Sequence, residues 1–226
     1  MIIVVALVIA LPIGICSAIY LNEYAKPGSR VVKIIRLFTD TLSGIPSIVF
    51  GLFGNILFCT YMGMGYSLLA GSLTMAIMIL PTIIRSVEES LIAVPDSLRE
   101  ASLALGASKL RTIITVILPQ ALAGILTAAV LSIGRIVGES AALVYTAGAV
   151  SLMPSGYMSA GSTFAVLMWS LSQEGLYMDK AYATALVLLI FVAIIYVALG
   201  LIEYFLGGER KWKTKKPKEK IKLKTA

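Results

Sequence analysis

The 226-residue sequence contains no histidine, only two cysteines and few charged residues. The lack of histidine excludes His-ligated metal sites, acid–base catalysis by histidine and histidine pH switches. Cys16 and Cys59 are single residues within apolar stretches, so a disulfide scaffold is excluded and both are interpreted as buried packing residues. Charged residues make up 14% of the chain, whereas soluble domains contain about 25%. A soluble enzyme and a disordered protein are therefore both excluded.

Long apolar runs take the place of the missing charge, and hydrophobic residues make up 58% of the chain. A helix needs about 20 mostly apolar residues to cross a bilayer. Five stretches meet this condition, at roughly 2–21, 43–62, 66–86, 119–143 and 182–205. The sequence thus predicts an all-α integral membrane protein with five spans. Its membrane domain covers 1–206 and is followed by a basic tail over 207–226.

The basic residues behind the net charge of +7 predict the orientation of these spans. Lys and Arg are concentrated in 22–42, 87–118 and the tail, while 144–181 contains only Lys180. The positive-inside rule places the basic segments, including the C-terminus, in the cytoplasm. The tail is expected to be disordered and to face anionic lipid, so nucleic acid is not an expected partner. Met1 falls outside in this topology, and a helix preceding it is expected to be missing.

The external segment 144–181 is too long for a simple turn and contains a short apolar piece at 163–171. This piece is too short to span, so we interpret it as a re-entrant or interfacial half-helix.

The cytoplasmic segment between the third and fourth spans, about 94–118, contains a short helix. Ser97 and Glu100 have the spacing of a capping box just after Pro95, and Gly106 is a natural C-terminal stop. A helix of about nine residues is too short to be stable alone. Small residues such as Ala101 allow a partner to approach closely, so the segment is either a docking helix or an ordinary interfacial connector.

Three charged residues near or within the spans are candidates for a substrate pathway. Arg135 lies about 16 residues past Pro119, or roughly 24 Å along a helix, and a charge at that depth is costly enough to suggest function. Its guanidinium fork matches the oxygens of phosphate or sulfate. Glu139 follows at i+4, so the two residues either neutralise each other or form an anion site in which Glu139 holds Arg135. Arg85 is either an interfacial residue with Glu88 and Glu89 as partners or a second anion contact.

The docking segment resembles the EAA loop of ABC importer permeases. The matching residues are Glu100-Ala101-Ser102, Gly106 after three residues, and Val116-Ile117-Leu118-Pro119 after nine more. This resemblance implies the bundle of a type I importer permease, whose loop seats in a cleft of an ATP-binding subunit. The residues implied in coupling are Glu100, Ala101, Gly106, Leu118 and Pro119. The chain lacks a G-x-x-x-x-G-K-[ST] loop, so ATP is expected to be hydrolysed on a separate subunit. No cofactor and no catalytic residue is expected on this chain.

Three further segments resemble phosphate permeases of the PstA type. They are Gly134-Arg135-x-x-Gly138-Glu139-Ser140-Ala141, Pro46-Ser47-x-x-x-Gly51, and Leu80-Pro81-x-x-x-Arg85. The resemblance implies a permease subunit of a phosphate importer, paired with a PstC-type permease and supplied by an external phosphate-binding protein. It places Arg135, Glu139 and Arg85 on the substrate pathway. Members normally have six spans, which fits a missing first helix.

Two other functions remain open at this stage. One is a permease for a different oxyanion, such as sulfate, molybdate or phosphonate, because the EAA loop is shared among importers. The other is a passive anion channel, which would need no docking loop.

Overall fold

The computed structural model describes residues 1–26, 28–150, 153–175 and 177–207. Every regular element within these residues is a helix, which agrees with the all-α prediction. In chain order the helices are α1 Ile2–Tyr24, α2 Arg30–Gly44, α3 Ser47–Tyr61, α4 Leu68–Ile92, α5 Asp96–Ala104, α6 Lys109–Gly138, α7 Ala141–Thr146, α8 Phe164–Glu174 and α9 Met178–Gly207. The predicted tail lies outside the described residues, apart from Gly207 at the end of α9.

Helix α4 forms the centre of the bundle. Its residues Met75, Ile79 and Ile83 are completely buried and recur every four residues, so they line one face of the helix. Helix α1 packs along this face through small buried residues at the same spacing: Ala6, Ala10, Gly14 and Ala18. A Cβ on Gly14 would lie 2.5 Å from Cγ2 of Ile83. This close approach is typical of membrane helices that associate through small residues.

Most of the predicted second span, 43–62, forms α3, which begins at Ser47 after a break at Ile45-Pro46. Ile45 is extended (φ −73°, ψ 132°) because the following proline, Pro46, disfavours helical geometry in the residue before it. Helices α2 and α3 therefore meet at a bend of 102°. Four helices are long and apolar enough to cross a membrane, and the bent pair makes five if it counts as one span.

The predicted fourth span, 119–143, is wrong at both ends. Helix α6 begins at Lys109 and continues through Pro119, after a π-helical turn over Ile113–Ile117. Such a turn shifts the hydrogen-bond pattern locally, which accommodates a proline that cannot donate a backbone hydrogen bond. The helix ends at Gly138, and the chain then breaks before α7. The last ten residues of the docking segment predicted over 94–118 belong to α6.

The predicted external segment folds back onto the N-terminus of α4. The backbone N–H groups of Ser67, Leu68 and Leu69 donate to the carbonyls of Thr146, Ser159 and Tyr157 at 2.9–3.1 Å. These bonds satisfy donors that a helix start otherwise leaves unpaired. The apolar piece predicted at 163–171 forms α8, and the Phe164 ring of α8 lies 6.4 Å from that of Phe191 on α9.

Candidate functional site

The break between α6 and α7 determines where Arg135 lies. Arg135 belongs to the last turn of α6, which ends at Gly138, and Glu139 is extended (φ −79°, ψ 123°). The carbonyl end of a helix carries partial negative charge, so a cation in the last turn is stabilised without a carboxylate. The helix end therefore supplies part of the stabilisation of the Arg135 charge that the sequence analysis expected from Glu139.

The guanidinium of Arg135 is held by a neutral partner from the central helix. Its Nη1 donates to Oγ1 of Thr82 on α4 at 3.1 Å. Within the described part of the chain, no carboxylate oxygen lies within 4.0 Å of Arg135. The other N–H groups of the half-buried guanidinium are therefore not engaged in an ion pair.

Glu139 does not hold Arg135, so the predicted pairing of these two residues is wrong. Its Oε1 instead accepts a hydrogen bond from the backbone N–H of Ala142 at 3.1 Å, at the start of α7. The i+4 prediction assumed a continuous helix over 119–143. Because the helix ends between the two residues, their side chains no longer lie one above the other on a common face.

The three segments that resemble phosphate permeases meet around this break. Thr82 of the 80–85 segment contacts Arg135. A Cβ on Gly51, from the 46–51 segment, would lie 2.7 Å from Cα of Ala142 and 3.3 Å from the carbonyl oxygen of Ala141. Irregular backbone at membrane depth is tolerated where protein packs around it or where it lines a cavity. The Gly51 contact provides such packing for the start of α7.

Arg85 lies one helical turn from Thr82 and is paired with carboxylates. Its Nη1 lies 3.1 Å from Oδ1 of Asp40 on α2, and its Nε lies 3.3 Å from Oε1 of Glu89. The predicted partner Glu88 binds Arg36 of α2 instead. This arrangement corresponds to the interfacial interpretation of Arg85, with Asp40 in place of Glu88. A role for Arg85 as a second anion contact stays a prediction.

The predicted docking helix is α5, and it is largely exposed. No residue of Asp96–Ala104 is buried, and Glu100, Ala101 and Gly106 are all exposed. The predicted capping box is wrong, because Pro95 is the N-cap residue and no side chain caps the helix.

The predicted stop at Gly106 is confirmed by its geometry. Gly106 has φ +82°. Its N–H donates to the carbonyl of Leu103 at 2.9 Å, and the N–H of Ala107 donates to the carbonyl of Ser102 at 3.2 Å. These two bonds form a Schellman motif. The motif favours glycine at the position with positive φ, because glycine has no Cβ.

The other two predicted coupling residues lie elsewhere. Leu118 and Pro119 are inside α6, about 15 Å along its axis from Lys109 at 1.5 Å per residue. Helix α5 contacts the π-helical turn that immediately precedes them. Leu118 and Pro119 therefore belong to the helix that supports α5, and their role in coupling stays a prediction.

Two features of the site were missed by the sequence analysis. Thr82 lies within the 80–85 segment, and only its contact with Arg135 reveals a role for it. The ion pair between Glu23 at the end of α1 and Arg99 of α5 joins residues 76 positions apart. A carboxylate directly after the first span was the only available signal. The described residues contain no group of three or more metal-ligating side chains.

Comparison with known proteins identifies the family. Residues 10–208 match the family described as "Binding-protein-dependent transport system inner membrane component". The chain is 34% identical to "Phosphate transport system permease protein PstA 1" of Mycobacterium tuberculosis, over 92% of this chain and 68% of that protein. It is 35% identical to "Probable ABC transporter permease protein YqgI" of Bacillus subtilis, over 77% of this chain and 64% of that protein. The chain thus spans about two thirds of the length of these curated relatives.

Its fold is similar to that of a chain in inward-facing structures of the MetNI methionine ABC transporter. The TM-score is 0.70 at 22% identity, over 91% of this chain and 89% of that chain. The predicted type I importer permease fold is thereby confirmed, as is the prediction of a multi-pass membrane protein. On these grounds the chain belongs to the family of binding-protein-dependent transport system inner membrane components, and the predicted resemblance to PstA-type permeases is confirmed.

Proposed function

We propose that this chain is the transmembrane permease subunit of an ATP-driven phosphate importer. The observation that carries the proposal is the guanidinium of Arg135, which lies at a break in a membrane helix and has no carboxylate partner among the described residues. Relatives that bear the name of phosphate transport permeases support the choice of substrate.

The chemistry of the break favours a tetrahedral oxyanion. A guanidinium presents parallel N–H groups that match two oxygens of phosphate, and a further N–H, on Nη1, donates to Thr82 and so orients the group. The carboxylate of Glu139 lies nearby in sequence but is turned toward the N–H of Ala142. Phosphate would therefore meet a guanidinium that has no carboxylate paired with it among the described residues. A site with one oriented cation attracts the anion and still releases it.

The proposal requires partners outside this chain. Helix α5 would dock into ATP-binding cassette subunits on the cytoplasmic side, and these subunits would hydrolyse the ATP. A PstC-type permease would complete the pathway, and an extracytoplasmic phosphate-binding protein would deliver the substrate. The C-terminus would lie in the cytoplasm beside membrane lipid.

Transport would follow from alternating access. ATP binding would close the two ATPase subunits and move their docked helices, and the spans would switch from inward-facing to outward-facing. Phosphate released by the binding protein would pass Arg135, and hydrolysis would restore the inward-facing state. The residues of this chain would bind and release the anion without covalent chemistry.

The test is uptake of radiolabelled phosphate into proteoliposomes that contain the assembled transporter and its binding protein. We expect the uptake to require ATP. Unlabelled phosphate should suppress it, whereas an equal concentration of sulfate should not. No uptake of labelled phosphate, together with ATP-dependent uptake of labelled sulfate, would identify another oxyanion as the substrate. Uptake that persists without ATP would identify a passive channel.

A further inference from the structure

The side chain of Arg99 connects the exposed helix α5 to two membrane helices. Its Nε and Nη2 donate to Oε1 of Glu23, at the end of α1, at 3.2 and 3.1 Å. Its Nη1 donates to the carbonyl of Val94 at 2.6 Å, and its Nη2 donates to the carbonyl of Leu91, near the end of α4, at 2.7 Å. A second bond from Nη1 reaches Oδ1 of Asp96 at 2.9 Å.

These contacts use all five N–H donors that a guanidinium offers. The side chain of Arg99 is 16% exposed and that of Glu23 is 8% exposed, so the pair is largely removed from water. Asp96, in contrast, is 86% exposed and belongs to the surface. An arginine is required here because a lysine ammonium has three donors and no planar fork.

The connection contrasts with the rest of α5. The helix has no buried residue, and its other described side-chain link is the hydrogen bond of 2.9 Å between the hydroxyls of Ser102 and Thr112. That bond leads to the start of α6. Apart from the backbone of 93–95, the described hydrogen bonds from α5 to α1 and to the end of α4 both come from Arg99.

Helix α4 connects its own end, which Arg99 contacts, to the anion site. Leu91 lies nine residues after Thr82, or about 14 Å along the helix, and Thr82 holds the guanidinium of Arg135. A displacement of α5 would therefore reach the anion site through Arg99 and the cytoplasmic half of α4.

We infer that the Glu23–Arg99 pair is the link that transmits movement of α5 to α1 and α4, and that both residues are positioning residues for transport. The inference rests on the proposed function, in which α5 docks on an ATPase. Loss of the link would leave docking and ATP hydrolysis in place and would reduce the transport obtained from each ATP.

The test uses the assembled transporter with Glu23→Gln or Arg99→Lys. Glu23→Gln removes the charge at nearly unchanged shape, and Arg99→Lys keeps the charge without the fork. Asp179→Asn is the control, because it removes an exposed carboxylate at the start of α9, outside α5 and outside the residues assigned to the anion site. We expect both test variants to retain co-purifying ATPase while labelled phosphate taken up per ATP falls by at least about fivefold, the lower end of measured couplings between sites. Asp179→Asn should keep the wild-type ratio.

A second measurement needs no substrate. Spin labels on Ile92→Cys and Leu105→Cys, with Cys16 and Cys59 replaced by serine, report the distance between the ends of α4 and α5. We expect a narrow distribution in the parent and in Asp179→Asn, and a broader one in Glu23→Gln and Arg99→Lys. If the distances agree with these expectations but the parent takes up no phosphate, the proposed function is refuted while the link stands. The link would be overturned if Glu23→Gln and Arg99→Lys changed neither the distances nor the phosphate taken up per ATP. It would also be overturned if both variants were lost from the membrane.

Discussion

At the scale of single residues, the site depends on one cation and one hydroxyl. Arg135 is stabilised by the carbonyl end of its helix and is oriented by Thr82. A neutral partner leaves the full charge of the guanidinium for an incoming anion, whereas a carboxylate would neutralise it. Thr82 is therefore expected to affect transport although it carries no charge.

Replacing Thr82 tests this role. Thr82→Val keeps the shape of the side chain but leaves Nη1 of Arg135 without its acceptor. Hydrogen bonds to charged groups contribute about 1.5–3 kcal/mol, so we expect the KM for phosphate uptake to rise about tenfold or more. Thr82→Ser retains the hydroxyl and should stay within a few-fold of the parent. Equal KM values for Thr82→Val and the parent would mean that the contact does not orient the site.

At the scale of helices, two glycines have different physical roles. Gly51 lies against the backbone at the start of α7, so any side chain there collides with atoms that cannot rotate away. Gly106 has open space around it but a positive φ of +82°. The first glycine is required for packing and the second for backbone conformation.

Gly51→Ala should destabilise the contact between α3 and α7. Overpacking of this kind costs about 1–3 kcal/mol, and we expect a lower melting temperature of the purified complex. Gly200→Ala is the control, because Gly200 is also helical and a Cβ there has no neighbour within 4 Å. A melting temperature for Gly51→Ala as high as that of Gly200→Ala would contradict the close packing.

Gly106→Val should disrupt the end of α5 and the docking surface. The left-handed conformation costs a residue with a Cβ about 1–2 kcal/mol, and a β-branched side chain is especially unfavourable there. Gly106→Asn is the matched variant, because asparagine tolerates this conformation. We expect Gly106→Val to reduce co-purification of the ATPase and Gly106→Asn to preserve most of it. Equal retention of the ATPase would show that the turn does not shape the docking surface.

The helices were predictable from sequence where apolar length decided the outcome. The predicted spans 2–21, 66–86 and 182–205 lie within or close to α1, α4 and α9. The prediction missed two breaks in the helices, at Ile45-Pro46 and after Gly138. Hydropathy is averaged over a window of residues, so it does not detect a local break in the helix. Pro46 carried a local signal for the first break, whereas the second break, at Gly138-Glu139-Ser140, contains no proline.

At the scale of the whole molecule, the sequence indicated the correct segments but not their contacts. The segments at 46–51, 80–85 and 134–141 were recognised separately, and the bundle brings them together through Gly51, Thr82 and Arg135. The partner of Arg135 was missed because the distance between residues 82 and 135 along the chain conceals their proximity. Glu23 and Arg99 were missed for the same reason. Pairings between distant residues depend on how the helices pack, which no local pattern encodes.

Phosphate uptake by the double variant Arg135→Ala with Glu139→Gln is the most direct test of Arg135 as the anion contact. The variant removes the cation and also the carboxylate that would otherwise remain charged. Uptake of labelled phosphate is measured at equal membrane abundance of variant and parent. We expect uptake to stay at or below about one tenth of the parent value, because a lost charge-assisted contact of about 1.5–3 kcal/mol cannot be restored by Glu139→Gln. Recovery to the parent rate would show that the two residues serve only to neutralise each other, and would remove Arg135 from the phosphate pathway.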